Sequence, residues 1–133
     1  MKRRALVCFA TLPWMGLSAI SPTPVDWTKL RSPRAQSLDG VMIRILGFMV
    51  PLDDDSRRVT EFLLVPTLGA CVHTPSPPAN QIVLVTMATG AKAEVVWDRP
   101  IWVTGRFKIG VAAGVLGARY KLEGQRIEIV QDY

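Results

Sequence analysis

Cysteine and histidine are nearly missing from this chain: two cysteines, Cys8 and Cys71, and one histidine, His73, in 133 residues. Cys8 lies within an N-terminal apolar stretch, too early in it for a lipoprotein cysteine, and is expected to leave with that stretch. The single thiol that remains closes no internal disulfide, so packing alone must hold the fold in an oxidising compartment. An excess of charge of one sign is also lacking. The formal net charge is +5, but Lys2, Arg3 and Arg4 supply three of the 16 basic residues, leaving 13 against 11 acidic ones, a net of +2. With those 13 scattered, there is no electrostatic footprint for nucleic acid. Long amphipathic helical patterns are missing too, and so are internal repeats, which argues against a helical bundle or a solenoid.

One apolar run stands out. Met1-Lys2-Arg3-Arg4 followed by Ala5 to Ile20 reads as the basic and apolar regions of a secretion signal. Thr11, Pro13 and Gly16 interrupt it and Ser21-Pro22-Thr23-Pro24 ends it, so it is too broken for a permanent membrane helix. Gly16-Leu17-Ser18 and Ala19-Ile20-Ser21 both offer small residues for cleavage. The first is favoured, because Pro22 makes a poor first residue. The expected organisation is a signal over 1–18 with cleavage between 18 and 21, a linker or flexible arm over 19–37, and one domain over 38–133. The linker is proline-rich and without period, though Trp27 and Leu30 are able to pin it to the domain. Export predicts a periplasmic protein with no transmembrane segment, or a membrane-associated one if the signal is retained.

Beyond residue 37 the chain reads as strands and turns. Leu38 to Val50 is rich in β-branched residues and broken by Gly47, where a strand bends or bulges. Val59 to Pro66, Gln81 to Met87 and Ile101 to Ile109 are short apolar runs between turn formers. Tyr120 to Val130 alternates, with a hairpin turn or a bulge at Glu123-Gly124-Gln125. Ala91 to Trp97 fits either a short strand or one helical turn. The expected fold is all-β: a small Greek-key barrel of five or six strands, like the oligomer-binding barrels. That fold serves nucleic-acid binders, sugar binders and metal proteins, so it does not choose a function.

Cys71 and His73 form the segment with chemistry. Two apart in extended backbone, they project to one face, close enough to share one metal ion or one proton. Pro75, Pro77 and Pro78 stiffen the loop beyond the pair, and Asn80 and Gln81 close the turn. A thiolate and an imidazole suit zinc or copper; Met49 would add a soft ligand for copper(I), and Asp53, Asp54, Asp55 and Glu61 are ligands by type. Two other readings stand beside this one. In the first, Cys71 is a buried structural residue and His73 bonds the proline turn. In the second, His73 activates Cys71 as the nucleophile of a thiol-dependent enzyme. Trp97, Trp102, Phe107 and Tyr120 occupy strand positions where aromatics usually fill a core, with stacking on a ligand as the alternative.

Taken in order, Gly47-Phe48-Met49-Val50-Pro51-Leu52, Glu61-Phe62-Leu63-Leu64-Val65-Pro66 and the stretch from Gly69 through Cys71, His73 and the prolines to Asn80-Gln81 resemble a family of small exported bacterial proteins known only as a domain of unknown function. The resemblance runs from about Leu38 to Val130. It implies a periplasmic protein, encoded in some members near transporter genes linked to metal handling, and carries over no established activity; the expected role is that of a non-enzymatic accessory protein. Members usually carry a longer proline run, which Ser76 and Ala79 interrupt here. The functional expectations are a zinc or copper site at Cys71 and His73, or a module that binds an envelope or transporter protein with both residues structural.

Overall fold

The computed structural model describes residues 21–52, 57–67, 78–110 and 118–132. Among the described residues, eight strands run in chain order: β1 Thr23–Val25, β2 Met42–Pro51, β3 Arg58–Val59, β4 Glu61–Val65, β5 Val83–Met87, β6 Ala93–Glu94, β7 Ile101–Ile109 and β8 Tyr120–Ile129. Five of them close on themselves in the order β2-β4-β5-β8-β7 and back to β2. Neighbours are antiparallel except β5 and β8, which run parallel from Val83↔Tyr120 to Met87↔Gly124. This is the five-stranded Greek-key barrel of the oligomer-binding type that the strand pattern predicts.

Closure depends on the bend in β2. Its first half, Met42 to Gly47, pairs with β7, and from Phe48 it pairs with β4 instead. Gly47 marks the changeover. A Cβ there would lie 2.8 Å from the Val65 carbonyl oxygen and 2.9 Å from Leu64 Cγ, so only glycine lets the strands meet at this corner. At Glu123-Gly124-Gln125, β8 continues as one strand. Its register against β7 shifts between Thr104 and Gly105, which is the bulge of the two expected alternatives. Ala93–Glu94 is a short strand rather than a helical turn, and it pairs with β3.

The composition of residues 19–37 predicts a linker or flexible arm, and the described part of that segment, from residue 21, differs. It holds β1, a short helix α1 Trp27–Arg31 and a 3₁₀ segment Pro33–Leu38. Asp26 caps α1, its carboxylate accepting from the Lys29 backbone N–H at 2.8 Å. Leu30 is wholly buried, with Val25, Ala35 and Leu38 beside it in the same core as Ile43, Phe62 and Phe107. Burying four apolar side chains outweighs the poor helix propensity of so short a segment. Periodicity fails in five residues, which is why the pattern escapes a sequence reading.

The strand directions sort the connections by end. Segments 52–60 and 88–100 leave one end, tied together by the β3–β6 ribbon; segments 66–82 and 110–119 leave the other. The α1 brace packs at this second end. Trp27 Nε1 donates to the Leu46 carbonyl at 2.7 Å, and the Tyr120 hydroxyl donates to the Leu30 carbonyl at 2.7 Å across 90 residues of chain.

Candidate functional site

Between the brace and the barrel, at the end from which segments 66–82 and 110–119 depart, lies a cavity of about 600 Å³. Arg31, Ser32, Pro33, Ala35 and Gln36 form one wall, and Asn80, Ile109, Gly110, Arg119 and Tyr120 form the other. Local bonding fixes both walls. The Asp39 carboxylate accepts from the Ile109 N–H at 3.1 Å, which locks the 3₁₀ segment onto the end of β7. Arg119 N–H donates to the Ala79 carbonyl, and Gly110 N–H to the Arg119 carbonyl.

Asn80 belongs to the 3₁₀ turn Ala79–Gln81, through which the chain enters β5. Gln81 holds that turn in place. Its side chain is buried, and its Nε2 donates to the Asn80 carbonyl at 2.8 Å and to the Trp27 carbonyl at 3.3 Å. Asn80 Oδ1 is buried and meets no donor. A buried acceptor left without a partner carries a desolvation cost.

Electrostatically the cavity has one sign. Among the described residues, Arg31 and Arg119 line it and no acidic side chain does. The ion pairs found among the described residues use other cations: Arg44 and Arg126 with Glu128, Arg99 with Asp98, and Lys108 with Glu123.

The other residues singled out from sequence are dispersed. Cys71, His73, Pro75, Pro77 and Asp53 lie outside the described residues, as do Asp54 and Asp55. Pro78 is exposed at the entry to the Ala79–Gln81 turn. Met49 is buried in the main core with Phe62 and Leu64. Among the described residues, no three of His, Cys, Asp and Glu gather closely enough to hold a metal ion. Of the four aromatics, Phe107 and Tyr120 are core and pack with ring centroids 5.2 Å apart. Trp102 is half-buried on the outer face under the Arg44 guanidinium, 4.1 Å from its ring centroid, and Trp97 is exposed. Sequence reading missed Arg31 and Arg119 altogether, because only the docking of the brace brings them to one cavity. The single legible hint was Asp26 three residues ahead of Lys29, a helix start in a stretch otherwise read as linker.

The topology and the braced end define a small closed Greek-key barrel carrying a binding-sized cavity at one mouth. The chain belongs to the DUF3299 family of proteins of unknown function, whose model matches residues 15–129. The crystal structure of a DUF3299 family protein from Pseudomonas aeruginosa PAO1 shares 30% sequence identity, covering 84% of this chain and 97% of that one, with a TM-score of 0.67. A putative aspartyl-tRNA synthetase from Leishmania major Friedlin is similar in fold alone: 9% identity, a TM-score of 0.54, and coverage of 87% of this chain but 22% of that one. No protein of curated function matches the chain.

Proposed function

We propose that the protein is a non-enzymatic accessory protein of the periplasm that binds a soft transition metal, zinc or copper, through Cys71 and His73. The observation that supports this is the anchoring of the chain just beyond the pair: the Ala79–Gln81 turn is fastened to the brace and to β8, so residues 66–82 begin and end at fixed points on the cavity end of the barrel. A thiolate and an imidazole two residues apart are a donor set for either metal. The test is to strip the purified protein of metal and titrate zinc, then copper(I), with Cys71→Ser and His73→Ala alongside. Saturable binding at one equivalent or less, lost in both variants, is expected. Half an equivalent means a site shared by two chains. Titration no different from the Cys71→Ser background ends the metal reading.

A second reading, an envelope or transporter protein-binding module, draws on the opposite end. Leu52 and Trp97 are exposed there, on the segments joined by the β3–β6 ribbon. Large exposed apolar side chains at one end of a barrel favour a protein contact. Under this reading Trp97→Ala abolishes capture of the partner from envelope extracts, while Cys71→Ser and His73→Ala leave it intact.

A further inference from the structure

The cavity between brace and barrel has features that a metal site does not use. We propose that it binds a phosphate ester, its phosphate held between Arg31 and Arg119. This inference is independent of the Cys71–His73 reading.

Four observations carry it. Arg31 and Arg119 come from opposite walls, one from α1 and the other from the residue before β8, and neither has an ion-pair partner among the described residues. Among the described residues no carboxylate lines the cavity to compete for the guanidiniums, whose forked donors match phosphate oxygens. Asn80, a neutral polar side chain, lines the same cavity and so adds no negative charge beside the phosphate. The remaining wall, with Pro33, Ala35 and Ile109, accepts a carbon skeleton, and about 600 Å³ holds a small ester with room to spare. The ligand would bridge the brace to the barrel, so its binding reports on the docking of both.

The same chemistry has two sources, a free polyol phosphate and the head group of phosphatidylglycerol. The experiment runs both arms on the purified protein at physiological salt. In one, sn-glycerol 3-phosphate is titrated while backbone amide shifts are followed. In the other, sedimentation is measured with phosphatidylglycerol-containing vesicles against neutral phosphatidylcholine vesicles. Arg31→Gln and Arg119→Gln, both at exposed positions, are each expected to weaken binding about tenfold through loss of a charge-assisted bond. Arg58→Gln, at the far end of the barrel, is expected to change nothing. Free-ester binding with shifts at Ile109, Gly110 and Tyr120 supports the proposal with a soluble ligand. Binding to the anionic vesicles alone, weakened in both cavity variants, supports it with a lipid head group. Absence of binding in both arms overturns it, as does binding that both cavity variants retain or shifts confined to other residues.

Discussion

A methyl group at position 105 would meet the backbone carbonyl of Glu123 across the β7–β8 bulge, with no flexible side chain there to yield. Gly105→Ala is therefore expected to lower the unfolding free energy by about 1–3 kcal/mol, the usual cost of forcing extra volume into packed structure. Gly110→Ala is the matching control, since a Cβ there meets nothing within 4 Å, and it should change stability by less than about 0.5 kcal/mol. Urea denaturation of both variants separates the bulge from a general glycine effect. Tyr120 makes a second residue-scale test. Its hydroxyl is the donor to the buried Leu30 carbonyl, and Tyr120→Phe leaves that oxygen unmet, at a cost of about 1–3 kcal/mol in the same assay.

Among the elements, α1 and its neighbours were the least legible and the most consequential. Ile101–Ile109 was readable to the residue because a β-branched and aromatic run between turn formers has few alternatives. The bend at Gly47 and the irregularity near Gly124 were legible for the same reason, as glycines inside strand patterns. Boundaries shifted where short turns intruded: Leu38 belongs to the 3₁₀ segment ahead of β2, and Gln81 to the turn ahead of β5. The brace was invisible because its stability comes from Leu30, Ala35 and Leu38 entering a core shared with strands far along the chain, a tertiary cause that no local window contains. It follows that Leu30→Ala should destabilise the whole protein by about 2–5 kcal/mol, as a core truncation does, and not merely release an arm. Thermal unfolding followed by far-UV circular dichroism distinguishes these: a lowered midpoint of one transition is expected, whereas an unchanged midpoint would mean that the brace is dispensable. The candidate site was legible only in Asn80 and Tyr120, since a cavity formed by distant walls leaves no spacing to read.

For the molecule as a whole, brace and barrel share one core cluster, so they should unfold together. Hydrogen exchange is expected to give the same global opening energy for amides of β2 and for the amides of the brace bonded within the structure, such as Ala35. A much faster-exchanging brace would show it to be a separate unit. The segregation of features by end also matters at this scale: the arginine-lined cavity lies at one mouth and the exposed Leu52 and Trp97 at the other. A small ligand and a protein partner are thus able to occupy the barrel at once.

The three residues of β1 lie parallel to β2, Thr23 against Ile43 and Val25 against Ile45, along the half of β2 that pairs with β7 on its other side. Without them, that stretch of β2 would present unmet backbone donors and acceptors to any passing strand. Protein trimmed through Val25 is expected to self-associate, visible as a concentration-dependent shift in light scattering. Thr23 therefore sets a limit on N-terminal trimming: a cut beyond it uncovers an edge that is a template for the protein's own polymerisation.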